Sequence, residues 1–166
     1  MIETQLRVGM PSPFPVSATV TGGTGAACSS GVTDQTLGGV HYWHLPFVQN
    51  GINYVSTQGR DVTSYNFSGC IMAIYTDAGD TRVCHVSTGD GQDCKAAWEV
   101  IKSRSKAVFQ FKPSDYIETG GQSLLGCYGL ITPNLQTLSI TVVTDKAGRV
   151  NTIANIAKGR LLLRVR

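Results

Sequence analysis

Eight short runs rich in β-branched and aromatic residues follow one another along the chain, at 40–45, 52–56, 70–76, 82–87, 107–111, 123–131, 138–144 and 160–165. Gly, Asp and Asn separate most of them, the punctuation of hairpins. A ninth, weaker run is expected at 16–20, after Pro11, Pro13 and Pro15, whose alternation keeps that stretch extended. One helix stands out between 93 and about 106. Asp93 is its expected N-cap, Ala96, Ala97, Val100 and Ile101 form an apolar stripe beside Trp98, and basic residues occupy its last turns. A second, weaker helix is expected over 150–157. Strands therefore dominate, and the predicted class is α+β: a β-sandwich of mixed sheets with one or two flanking helices. The 166 residues, 42% of them apolar, suffice for one domain with a real core, so residues 1–166 are read as a single domain.

Charge excludes little but orders the alternatives. Only 15% of the residues are charged and the net charge is +3, with the basic residues scattered apart from Lys102, Arg104 and Lys106 and the tail Lys158, Arg160, Arg164 and Arg166. A nucleic-acid binder concentrates such residues on one face, so no nucleic-acid partner is expected. No apolar run reaches the length of a membrane span. Met1-Ile2-Glu3-Thr4-Gln5 is polar at once, so no classical cleaved signal is expected. The five cysteines (28, 70, 84, 94 and 127) are odd in number and widely spaced, with no Cys-x-x-Cys, which argues against a disulfide scaffold and a zinc ribbon. Thr21-Gly22-Gly23-Thr24-Gly25 lacks the Gly-Lys-Ser/Thr ending of a phosphate loop and reads as a turn.

The stretch with chemical content is Ser64-Tyr65-Asn66-Phe67-Ser68-Gly69-Cys70, with His85 fifteen residues on. Asp77-Ala78-Gly79-Asp80 is a turn signal between the flanking runs. If it closes a four-residue loop, Thr76 faces Thr81, Met72 faces His85 and Cys70 faces Ser87. Residues two apart share a strand face, so Cys70 and His85 become diagonal neighbours on one face. A one-residue slip would separate them. A thiol beside an imidazole forms the reactive ion pair of a cysteine nucleophile, and a third group usually orients the imidazole. Ser64 and Asp61 are both placed to serve. Gly69 would let a substrate carbonyl approach the backbone, and the Cys70 amide would help bind an oxyanion. The competing reading makes both residues core packing, since free cysteine behaves as a small hydrophobe.

Phe67-Ser68-Gly69-Cys70 is similar to the Leu-Ser-Gly-Cys signature of the cytotoxic-necrotizing-factor-type glutamine deamidases, and the following histidine lies at that family's spacing. Ser64 to Cys70 resembles the Burkholderia lethal factor-like members most. There a Thr stands where this chain has Ser64, a change that keeps the hydroxyl and loosens the rotamer. Trp43-His44-Leu45-Pro46-Phe47-Val48-Gln49 also resembles a Leu-Pro-Trp stretch upstream of that motif. The resemblance implies a β-sandwich core with flanking helices, a Cys70–His85–Ser64 triad with Ser68 and Gly69 shaping the turn, and no cofactor. It implies conversion of a glutamine to glutamate in a host protein, a Rho-type GTPase or a translation-initiation helicase. The carrier would be a monomeric bacterial effector, secreted or injected and acting in the host cytosol. Two other readings stand beside it: a cysteine peptidase or other thiol hydrolase using the same pair, and a non-catalytic binding module.

Of the remaining candidates, His41 and His44 are three apart on a strand and point to opposite faces, which disfavours a shared metal. Cys127 sits in an apolar run without a neighbouring histidine and is expected in the core. Cys84 and Cys94 are close enough in sequence to bridge under oxidation.

Overall fold

Ala78 and Gly79 both have positive φ, at 52° and 83°, the backbone of a two-residue hairpin turn whose twist matches its strands. In the computed structural model, which describes residues 1–89, 94–117 and 120–157, this turn joins strand β6 (Ile71–Asp77) to β7 (Asp80–Val86). The loop is two residues long, because Asp77 and Asp80 still pair, and the register is the expected one: Thr76 opposite Thr81 and Met72 opposite His85. Cys70 lies one residue before the start of β6.

The hairpin is the centre of a five-stranded sheet. Its neighbours are β4 (Ile52–Ser56) beside β7, β1 (Ala27–Cys28) beyond it, and β8 (Val108–Phe111) beside β6, giving the order β1-β4-β7-β6-β8. A six-stranded sheet is built from β2 (Thr33–Leu37), β3 (Val40–Pro46), β5 (Asp61–Tyr65), β9 (Leu124–Ile131), β10 (Thr137–Val143) and β11 (Val150–Ala157), in the order β11-β10-β9-β5-β3-β2. Both sheets are mixed: β1 runs parallel to β4, and β3 parallel to β5. The protein is a strand-dominated α+β sandwich with one α-helix, α1 (Cys94–Arg104), among the described residues.

Alternation sorts side chains into three apolar clusters. Leu45, Val62, Cys127 and Ile131 of the larger sheet meet Met72, Ile74 and Val83 of the hairpin between the sheets. Behind the hairpin, Ala73, Tyr75, Cys84 and Val86 pack under Cys94, Trp98 and Ile101 of α1. The outer face of the larger sheet (Tyr42, Tyr65, Tyr128, Leu130, Ile140) is covered by Ile2, Leu6 and Phe14 of the N-terminal segment. The molecule is thus layered as N-terminal segment, large sheet, small sheet, helix.

Several expectations are corrected. Residues 150–157 form strand β11 and not a helix. Val150 and Ile153, which face the same cluster, are three apart because a bulge at Thr141/Val142 breaks the two-residue period. The helix buries Cys94, Trp98 and Ile101, while Val100 is exposed. The true stripe follows the i, i+4, i+7 spacing of an amphipathic helix. Of the expected strand at 16–20, only Val20 pairs, in a single bridge to Val48. Strands β1, β2 and β5 were not expected, and the run at 160–165 and the Asp93 cap lie outside the described residues. No helix among the described residues is long and apolar enough to cross a membrane.

Candidate active site

His85 sits in the interior of the sandwich. It projects from β7 on the face that carries Val83, while Met72 opposes it on β6. Ser64 comes from the other sheet: on β5 it shares a face with Val62, and β5 lies in parallel register with β3, so that Ser64 pairs with Leu45. The Ser64 Oγ is 2.7 Å from His85 Nδ1 and 2.6 Å from the Leu45 carbonyl oxygen. A carbonyl can only accept, so the single hydroxyl proton of Ser64 is committed to Leu45. The Nδ1 nitrogen must then carry the imidazole proton and donate it to Oγ. That assignment leaves the lone pair of the neutral ring on Nε2. This atom is buried and has no hydrogen-bond partner among the described residues, the Cys70 thiol included.

The ring is held by aromatic planes. Phe67 stacks on it at 4.1 Å with an interplanar angle of 9°, and Phe47 covers it at 5.0 Å and 29°. The result is an imidazole with 0% exposure. Burial, with a smaller contribution from the charge of His44, lowers its pKa to about 3. Beside it on β4, the fully buried Asn53 donates to the Ser30 and Pro46 carbonyls and accepts from the Ser30 N–H. Those bonds fix the chain immediately before Phe47.

Cys70 belongs to the same inter-sheet cluster and is 8% exposed. The structure therefore places it on the His85 face of the hairpin. Burial pushes its thiol up, opposed by the nearby polar groups of Thr88 and by the charge of Lys112, while the Thr88 hydroxyl itself donates to the Gly69 carbonyl. With the imidazole pushed down and the thiol pushed up, the resting pair is thiol and neutral imidazole, not thiolate and imidazolium. The expected thiol–imidazole pairing is not made in the structure: Cys70 is itself buried, and the fully buried imidazole stacks against two phenylalanines instead.

Ser64 and Asp61 are separated by the strand they share. Asp61 is on the opposite face of β5, where its Oδ2 accepts the Ile2 N–H at 2.9 Å, so only Ser64 reaches the imidazole. Ser68 is exposed on the turn. Gly69 has φ 128° with nothing near its missing side chain; in that backbone region a side chain is strained. His41 is exposed and 3.2 Å from Asp34 Oδ1, while His44 is buried between Thr63 Oγ1 at 2.9 Å and Ser17 Oγ at 3.0 Å. Cys127 is buried beside Ser139 Oγ, and Cys84 and Cys94 form no disulfide, both lying in the cluster between the small sheet and α1.

Three participants were not expected from the sequence: the Leu45 carbonyl, Phe47 and Thr88. The first two fall within Trp43–Gln49, the stretch already set apart by its resemblance. Thr88 gave no local signal. It is found only by extending the hairpin register two residues beyond its last rung. Compared with known proteins, the chain matches no family model, no curated protein and no solved structure.

Proposed function

We propose that the chain is a thiol-dependent protein-glutamine deamidase, a bacterial effector acting on a host protein, with Cys70 as nucleophile, His85 as proton carrier and Ser64 as its orienting group. The observation that carries the reading is the Ser64–His85 bond. It crosses the sandwich to fix one tautomer and leaves an unused lone pair on the face shared with Cys70. Cys70 Sγ attacks the glutamine carboxamide carbon as its proton passes to Nε2. Collapse of the tetrahedral intermediate expels ammonia, which takes that proton. Water then adds to the thioester, again losing a proton to Nε2, and the thiol leaves protonated with glutamate as product. The sum is amide plus water to carboxylic acid plus ammonia, and no cofactor enters it.

A second reading is favoured by the 0% exposure of His85 and the missing thiol–imidazole hydrogen bond: the motif serves packing, and the chain is a binding module. One experiment separates them. Rho-type GTPases and translation-initiation helicases are incubated with wild-type protein and with Cys70→Ser, then analysed by intact mass and peptide mapping. Deamidation predicts an amide-to-acid mass gain on a single glutamine, absent with the variant. A peptidase predicts fragments, and a binding module leaves both targets unchanged.

A further inference from the structure

The β6–β7 register, with Ile71 opposite Val86, places Thr88 opposite Gly69 two residues further along. Ser87 N–H turns toward β4, donating to the Gly51 carbonyl at 3.1 Å. Successive residues of a strand alternate the direction of their backbone groups, so the Thr88 N–H turns toward the Cys70 side. A regular ladder would spend it on the Gly69 carbonyl. That rung is made differently here: the Thr88 hydroxyl donates to the Gly69 carbonyl at 2.9 Å. Gly69, at φ 128°, has left the strand conformation that a regular rung needs. A side-chain donor has replaced a backbone donor, and the backbone N–H freed from that rung lies on the Cys70 side, where it acts to favour the ionised thiol.

Resting on the assignment of Cys70 as nucleophile, we propose that Thr88 is the positioning residue of this site, holding the Gly69–Cys70 peptide through its hydroxyl so that its own N–H is aimed at the sulfur as negative charge develops there. The two donors act as a unit. Removing the hydroxyl restores the ordinary rung, in which the residue-88 N–H turns to Gly69 O and the sulfur loses it. A hydrogen bond to an ionised group is among the stronger ones in proteins, and a tenfold change in ionisation corresponds to one unit in pKa.

The test is the pH profile of Cys70 alkylation by iodoacetamide, followed by peptide mass spectrometry, in wild type, Thr88→Val and Thr88→Ser. Thr88→Val is expected to raise the apparent thiol pKa by about one unit and slow labelling near neutral pH about tenfold, while Thr88→Ser retains the wild-type profile. In wild-type protein the Thr88 amide resonance is expected to move with the Cys70 ionisation, a readout that needs no variant. An unchanged profile in folded Thr88→Val, or an amide that ignores the thiol, overturns the proposal. A merely structural threonine would lower the melting temperature of Thr88→Val and leave the profile where it was. If the profile moves but host proteins gain no acid, the deamidase reading fails and the role of Thr88 stands. If host proteins are deamidated and the profile does not move, the role of Thr88 fails alone.

Discussion

Replacing Ser64 by alanine removes one oxygen that makes two hydrogen bonds in a site with no access to water, at 2.7 Å to His85 Nδ1 and 2.6 Å to the Leu45 carbonyl. The imidazole proton is then stranded. Held on Nδ1 it has no acceptor, and moved to Nε2 it meets an atom that has no partner either. An unsatisfied buried donor costs about 1–3 kcal/mol, and loss of an ordinary hydrogen bond about 0.5–1.5 kcal/mol, so Ser64→Ala should destabilise the fold by about 2–4 kcal/mol. That is a large part of the ~5–15 kcal/mol typical of a domain. Ser64→Thr keeps the hydroxyl but forces a methyl group into a filled core, at about 1–3 kcal/mol. The two variants separate in what they do to the ring. Long-range proton–nitrogen NMR should show His85 protonated on Nδ1 in wild type and Ser64→Thr, and the preference lost in Ser64→Ala. Urea unfolding supplies the energies. A Ser64→Ala protein within about 0.5 kcal/mol of wild type, or a wild-type imidazole protonated on Nε2, would refute the tautomer argument and with it the orientation of the proposed base.

Acid should weaken the fold before the carboxylates titrate. His85 and His44 have folded pKa values of about 3 and about 4, lowered chiefly by burial, against about 6.5 in the unfolded chain. Their contribution is complete above about pH 6.5 and is lost progressively as pH falls from there to the two folded values, each costing up to about 1.4 kcal/mol per pH unit. Asp61, raised by burial, acts in the opposite sense in the acid range. Urea midpoints falling from about pH 7 to about pH 5 would agree, and a flat profile would not. Phe47→Ala should return the imidazole toward an ordinary pKa and speed Cys70 alkylation; an imidazole that still fails to titrate near neutral pH contradicts the covering role given to Phe47. Gly129→Ala would drive its new methyl into the Met72 Sδ and against Pro113 and Phe67, and a loss of about 1–3 kcal/mol by urea unfolding is expected. Wild-type-like stability would mean that this part of the inter-sheet contact is loose.

The hairpin register was legible because a short turn with its own chemistry fixes it, and Asp77-Ala78-Gly79-Asp80 carries that chemistry in four residues. The helix was legible from its apolar spacing, although the faces assigned to Ala96 and Val100 were wrong: three-residue and four-residue steps both connect Ala96, Ala97 and Trp98 to Val100 and Ile101, and only the sheet decides which side is covered. Strand β5 was hidden. Asp61–Tyr65 is short, pairs with β3 in parallel and with β9 across the sheet, and parallel pairing leaves no turn to read. The same strand delivers Ser64, so the Cys70–His85 face could be read from the turn, whereas the choice between Ser64 and Asp61 required knowing which side of an unseen strand each occupies. Strand β11 misled for a specific reason: its bulge converts a two-residue period into a three-residue one, and spacing alone takes that for a helix.

The imidazole at position 85 is rooted in one sheet and tethered to the other. Its orientation therefore reports the offset between two slabs of structure, and any slide of one against the other is transmitted to the ring as a lengthened or broken tether. Substitutions that alter the gap between the sheets, by changing residues such as Ile131 or Val62, would retune the ring without removing either end of its tether. A protein built this way holds that ring in place only as long as its two halves stay in alignment.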